Sequence, residues 1–122
     1  MERRVALVVE HDPSTGELIS LLLRERGYET SVASTYEQAL HLWEATNPLL
    51  VVIDPVLRDG DGLALARIAK PYARVILMSA NPGPSLPGRR IADSADELGV
   101  PLVAKPFATD DLMAQIESDE PR

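Results

Sequence analysis

The chain contains no cysteine among its 122 residues, which excludes disulfides, thiol nucleophiles and cysteine-ligated zinc together. A surplus of positive charge is missing as well. Twelve Lys and Arg against nineteen acids leave a net charge of -7, which speaks against general binding to phosphate backbones. No apolar run approaches the roughly 20 residues of a membrane helix. No long apolar stretch follows the charges of Met1-Glu2-Arg3-Arg4 either, so the N-terminus does not read as a signal peptide. What remains is ordinary globular usage, 45% hydrophobic and 25% charged, at a length near that of one domain. The expectation is a single soluble, cytoplasmic domain over residues 1–122 with no output domain, because only about five residues follow the last predicted helix.

Short apolar or β-branched runs alternate with longer amphipathic stretches, the pattern of an α/β fold with a parallel sheet covered on both faces. Val5 to Val9 and Leu49 to Ile53 are apolar throughout, as strands buried on both sides should be. Arg74 to Met78, ending at Ser79, and Pro101 to Ala104 give two further strands, and the partly polar run Tyr28 to Ala33 suits an edge. Asp12 and Pro13 open a first helix with a stripe of Leu18, Leu21, Leu22 and Glu25, closed by Gly27. Ser34 and Glu37 form a capping box for a second helix, striped by Ala39, Leu42, Trp43 and Thr46. Pro55 to Gly62 reads as a turn-rich loop before a third helix over Leu63 to Lys70. Asn81 to Gly88 holds too many prolines and glycines for a helix, so an irregular segment is predicted there, with a short helix from about Arg89 to Leu98. Thr109 caps a last helix that turns Leu112 and Ile116 inward. Five strands and five helices in alternation give a doubly wound sheet, with its ligand site beyond the carboxyl ends of the strands.

The polar residues at those strand ends carry the chemistry. The first strand ends in Glu10-His11-Asp12, the third in Asp54, the fourth in Ser79 and the fifth in Lys105. Carboxylates, a hydroxyl and a lysine would converge on one rim. Such a set could hold a hard divalent cation through oxygen, and could also offer a carboxylate nucleophile, with the cation and the lysine neutralising an incoming phosphoryl group. Asp59, Gly60, Asp61 and Gly62 hint at a calcium loop, but position 70 is Lys where that loop needs its bidentate acid, so they read as turn formers.

The chain resembles the receiver domain of bacterial two-component response regulators over nearly its whole length. The likeness rests on Leu7-Val8-Val9-Glu10-His11-Asp12-Pro13, on Val51-Val52-Ile53-Asp54 with the downstream Asp59-Gly60-Asp61-Gly62-Leu63, on Leu77-Met78-Ser79-Ala80, and on Ala104-Lys105-Pro106-Phe107. It implies a flavodoxin-like receiver fold of strand order 2-1-3-4-5. It also implies Asp54 as the phosphoacceptor, Glu10 with Asp54 and the Val56 carbonyl as ligands of Mg²⁺, Ser79 as the hydroxyl that bonds a phosphoryl oxygen and switches with it, and Lys105 as the partner of the phosphoryl group. The implied partners are a sensor histidine kinase or phosphotransfer protein and a downstream protein, with no nucleic acid and no membrane, in a monomer or weak homodimer.

Three departures from that pattern bear on function. His11 stands where the family's second metal-binding acid belongs, which either weakens the Mg²⁺ site or changes it, toward a transition metal or toward imidazolium in place of part of the cation's charge. Leu102 stands at the aromatic switch position, and the Pro/Gly-rich stretch replaces the start of the fourth helix. The reading is a stand-alone phosphorelay receiver, a signalling switch rather than an enzyme. The alternative is a pseudo-receiver that binds its partner without phosphorylation. A flavodoxin-like cofactor binder is opposed by the absence of a phosphate-cradling loop and by 4% aromatics.

Overall fold

The computed structural model describes residues 4–79, 86–105 and 109–118, the side chains of 86–90, 109–111 and 118 excepted. In chain order the elements are β1 (Val5–Val9), α1 (Pro13–Glu25), β2 (Glu29–Ala33), α2 (Tyr36–Thr46), β3 (Leu50–Ile53), α3 (Gly62–Ala69), β4 (Arg74–Ser79), α4 (Leu86–Leu98), β5 (Leu102–Ala104) and α5 (Thr109–Ser118). The five strands form one parallel sheet in the order β2-β1-β3-β4-β5. The continuous apolar runs occupy its centre, and the partly polar β2 lies on an edge, as their compositions require.

Strand alternation divides the core into two layers. Leu7, Val9, Val51, Ile53, Val75 and Leu77 pack on the side of α2, α3 and α4. Ala6, Val8, Leu50, Val52, Ile76 and Met78 face the other side, where Ile19 and Leu23 of α1 meet Leu112 and Ile116 of α5. A buried Leu or Ile contributes about 1.5–3 kcal/mol relative to an exposed one, so these two layers hold the strand ends in register. Arg74 adds a tie from β4 to α5, donating to the carbonyls of Ile116 at 3.0 Å and Gln115 at 2.8 Å.

Several sequence expectations are corrected. The inward face of α1 is Gly16, Ile19, Ser20 and Leu23, whereas Leu18 and Leu21 are 43% and 50% exposed. The run Leu21-Leu22-Leu23 offers apolar side chains on more than one face, and the bare Gly16 selects the rotation. A Cβ there would lie 3.0 Å from Val32 Cγ1, so glycine lets the helix settle close to β2. The cap of α2 is Thr35, whose side chain accepts from Gln38 N at 3.1 Å. The Gln38 side chain reaches back to Ser34 N at 3.0 Å, which moves the capping box by one residue from Ser34 and Glu37.

The loop after β3 is partly ordered: Val56 pairs with Asp61 and Leu57 with Gly60 in a small antiparallel ladder. The fourth helix is not short, because α4 starts at Leu86 and spans 13 residues. Pro87 falls at its second position, where a helix has no internal use for the amide hydrogen that proline lacks. The remaining expectation of irregularity, over 80–85, and the Thr109 cap lie outside the described residues and side chains. Gly99 closes α4 at φ 68, a conformation glycine adopts without strain.

Candidate functional site

The register of the strands brings the polar ends together. Glu10 extends the Ala6–Val8 side of β1, Asp54 the Leu50–Val52 side of β3, and Lys105 the Val103 side of β5. All three therefore stand at the same end of the sheet on the side of α1 and α5. Backbone bonds fix the positions: Glu10 N donates to Ala33 O at 2.9 Å, Asp54 N to Val9 O at 2.9 Å, and Lys105 N to Ser79 O at 2.7 Å.

Glu10 and Asp54 are buried, at 0% and 3% exposure. Two buried carboxylates need a counter-charge, and Lys105 supplies it. Its Nζ donates to Glu10 Oε2 and Asp54 Oδ2, each at 2.6 Å. The second oxygen of each carboxylate receives a backbone amide: Val56 N donates to Asp54 Oδ1 at 2.9 Å, and Asp12 N to Glu10 Oε1 at 3.3 Å. Burial raises the Glu10 carboxyl above its ordinary pKa, and the Asp54 charge adds to this, against the Lys105 hydrogen bond. Burial works against the Lys105 charge, but the hydrogen bonds and charges of Asp54 and Glu10 outweigh it and hold the ammonium above its ordinary value.

His11 lies at the mouth of this pair, with its side chain 41% exposed. Its Nδ1 is 3.6 Å from Glu10 Oε1 and 3.7 Å from Asp54 Oδ2. One ligand atom from each of Glu10, His11 and Asp54 falls within 4.8 Å of the others. Asp12 is not a member of this cluster. Its carboxylate caps α1, accepting from Thr15 N at 3.3 Å and Thr15 Oγ1 at 2.6 Å, and these bonds lower its pKa.

Ser79 is buried at 2% exposure at the end of β4, paired in register with Ala104, the residue before Lys105. Leu102 is half-buried against the α2–α4 layer. The Val56 side chain is 59% exposed in the small ladder that follows Asp54.

Sequence reasoning treated Asp59 and Asp61 as turn formers, and both do more. Asp61 caps α3, accepting from Leu63 N at 2.9 Å. Its place directly before an apolar helical run was the available signal. Asp59 reaches across to α2, accepting from Tyr36 N at 2.7 Å and Glu37 N at 3.1 Å. Those amide bonds lower its pKa, and no local pattern announces a cap donated from so far along the chain. Gly62 is sterically required. A Cβ there would meet Pro55 Cα at 2.6 Å and Asp54 O at 3.0 Å.

Comparison with known proteins agrees with this geometry. The chain is 29% identical over 120 residues to the DNA-binding response regulator MtrA of Mycolicibacterium smegmatis, covering 97% of this chain and 50% of that protein. It is 27% identical to the phosphate regulon transcriptional regulatory protein PhoB of Klebsiella pneumoniae, covering 97% and 52%. The chain thus spans about half the length of these relatives. Because MtrA is named as DNA-binding, the relatives lend no support to the expectation of a partner set without nucleic acid. Among solved structures, the non-phosphorylated HemR receiver domain of Leptospira biflexa superposes with a TM-score of 0.80 at 26% identity, over 98% of each chain. The signal receiver domain of an HD domain-containing protein from Pseudomonas fluorescens Pf-5 gives 0.81 at 26%, over 96% of this chain and 94% of that one. No helix among the described residues is long and apolar enough to cross a membrane. The response regulator receiver domain family matches residues 6–117, and with the five-stranded sheet and its carboxylate–lysine rim this establishes that the chain belongs to that family.

Proposed function

We propose that Asp54 accepts a phosphoryl group from the phosphohistidine of a sensor kinase or phosphotransfer protein, and that the modified rim changes affinity for a downstream protein. Receiver domains are signalling switches that interact with histidine kinases, and the phosphoacceptor assignment refines that role for this chain. The observation that carries it is the arrangement of Asp54. Val56 N–H occupies Oδ1, which leaves Oδ2, shared with Lys105, turned toward the exposed His11 side of the rim. In the transfer, Asp54 Oδ2 forms the new P–O bond as the donor's P–N bond breaks and the donor imidazole takes up a proton. Lys105 moves its ammonium from the carboxylate to the phosphoryl oxygens, where charge accumulates. The Ser79 hydroxyl takes one of those oxygens and carries the change into β4. With Leu102 aliphatic, the output runs through Ser79 and the backbone rather than through rotation of a ring. The phosphotransfer is confined to the protein's own aspartate.

Receiver domains generally bind Mg²⁺ at an acidic pocket. Mg²⁺ requires near-octahedral oxygen ligands and sheds water reluctantly. Glu10 and Asp54 meet that requirement, with the Val56 carbonyl as a further candidate, but His11 contributes a nitrogen where a third carboxylate oxygen is needed. The donor set therefore fits Mg²⁺ incompletely, and we propose that His11 lowers the affinity for it.

The test is incubation with acetyl phosphate and a divalent cation, read by intact mass. The native protein gains one phosphoryl group and Asp54→Asn gains none, because an amide is not a competent nucleophile. An unlabelled native protein, with a cognate kinase also failing to label it, overturns this reading in favour of phosphorylation-independent partner binding.

A further inference from the structure

We propose that the Glu10–His11–Asp54 triangle selects a borderline divalent transition metal of the zinc type over Mg²⁺. The inference rests on the phosphoacceptor reading for its place in signalling, whereas the metal preference itself is decided by three side chains.

Three observations carry it. The first is ligand chemistry. Imidazole nitrogen suits Zn²⁺, Co²⁺ and Ni²⁺, while Mg²⁺ favours oxygen, and His11 brings Nδ1 to the mouth of two buried carboxylates. The second is spacing. At 3.6 Å and 3.7 Å from Glu10 Oε1 and Asp54 Oδ2, Nδ1 is bonded to neither carboxylate, since hydrogen bonds of this type close at about 2.7–3.2 Å. Donors about 2.1 Å from a tetrahedral metal lie about 3.4 Å apart, against about 2.9 Å for neighbouring donors of an octahedral Mg²⁺. The observed separations are nearer the tetrahedral edge. The third is the commitment of Asp12, whose carboxylate is held in the α1 cap by Thr15. Asp12 Oδ2 is thus engaged in the helix cap, and the ring is the third side-chain donor of the cluster.

The His11 ring is exposed enough to reorient without disturbing the core, and a neutral ring with its proton on Nε2 leaves the Nδ1 lone pair facing the carboxylates. Two carboxylates and one imidazole leave a fourth position open.

The experiment is a titration of the full chain with Co²⁺, followed by visible absorption, then competition with Zn²⁺ and Mg²⁺ and no phosphoryl donor present. Any oxygen site favours Zn²⁺ over Mg²⁺ to some degree, so the informative quantity is the change in the Zn²⁺/Mg²⁺ affinity ratio between the native protein and His11→Asp. That ratio is expected to fall roughly thirtyfold in His11→Asp, with Mg²⁺ binding strengthened and Zn²⁺ binding weakened. His11→Ala should lose Zn²⁺ affinity without gaining Mg²⁺ affinity. Substoichiometric Zn²⁺ should shift the imidazole resonances of His11 and leave those of the exposed His41 on α2 in place. A ratio unchanged within about threefold between the native protein and His11→Asp overturns the proposal, as does a Zn²⁺ shift confined to His41. If the preference holds while Asp54 stays unlabelled by every donor, the phosphoacceptor reading fails and the metal assignment stands.

Discussion

The two corners that carry the acids of the site are built in opposite ways. The corner between β1 and α1 is local and open. Asp12 caps the helix that directly follows it, His11 projects to solvent, and only the buried Glu10 is held by distant partners. The corner between β3 and α3 is locked by backbone. Asp54 is bonded by the amide two residues on, Gly62 leaves no room for a Cβ, and Asp59 and Asp61 cap two different helices. The contrast shows where a side chain can vary and where it cannot. A side chain at the mouth of the open corner can change its chemistry without disturbing packing, whereas the locked corner allows no such freedom around Asp54.

Glycine substitution breaks the comparison most severely. Gly62→Ala forces a Cβ onto the backbone at Pro55 and Asp54, neither of which can yield, and should cost about 3 kcal/mol in urea unfolding. Gly16→Ala at the open corner presses only on Val32 Cγ1, a side chain 40% exposed. The gain in helix propensity of about 1 kcal/mol offsets that contact, so its stability should stay within about 1 kcal/mol of the native protein. Equal losses in the two variants would show that the corners are equally rigid.

Lys105 spans both corners, and its removal tests what joins them. Lys105→Met leaves Glu10 and Asp54 without a counter-charge and should destabilise by about 1–2 kcal/mol, a figure reduced for solvent at the rim. The pH dependence has a fixed sign. The folded-state pKa of Lys105 lies above its ordinary value of 10.5, so its contribution is fully present below that value and is lost as pH rises through the folded pKa. Urea midpoints of native and Lys105→Met protein should accordingly differ at pH 7 and converge in strong alkali.

The smallest effect is expected at Asp59. Asp59→Ala removes two acceptors from the start of α2 while Thr35 still caps it. A modest fall in the urea midpoint is expected at neutral pH, with phosphoryl labelling intact. Here the folded pKa lies below the ordinary 3.8, so the contribution is present above that value and disappears as pH falls through the folded one. A midpoint difference that persists at pH 2 would show that the aspartate acts by packing rather than by its charge.

Strand identities and the convergence of Glu10, Asp54 and Lys105 at one end were legible in the sequence, because runs apolar at every position admit few alternatives to central parallel strands; the sheet order came from the resemblance. Parity along those runs would have separated Ser79 from the other three: Val75 and Leu77 face one layer, while Val8, Val52 and Val103 face the other. The face of α1 was not legible. Six of its residues from Leu18 to Leu23 include four leucines, and the rotation is decided by a contact between Gly16 and another strand. The start of α4 was misread because proline was weighed as a breaker where its position made it harmless. Asp59 was misread because its partners lie on an element that precedes it by more than twenty residues.

The lysine that neutralises the site has a consequence for the growing chain. Lys105 follows Glu10 by 95 residues and Asp54 by 51. While a ribosome is still making β5, the two carboxylates have been synthesised and their counter-charge has not. Burying them beside each other is unfavourable until the last strand pairs with β4. Completion of the carboxylate–lysine rim and completion of the sheet are thus the same event, and a chain stalled or truncated before β5 would hold Asp54 beside Glu10 with no ammonium between them. Long-range closure of this kind slows folding, and in return the charge-balanced rim exists only once β5 has joined the sheet.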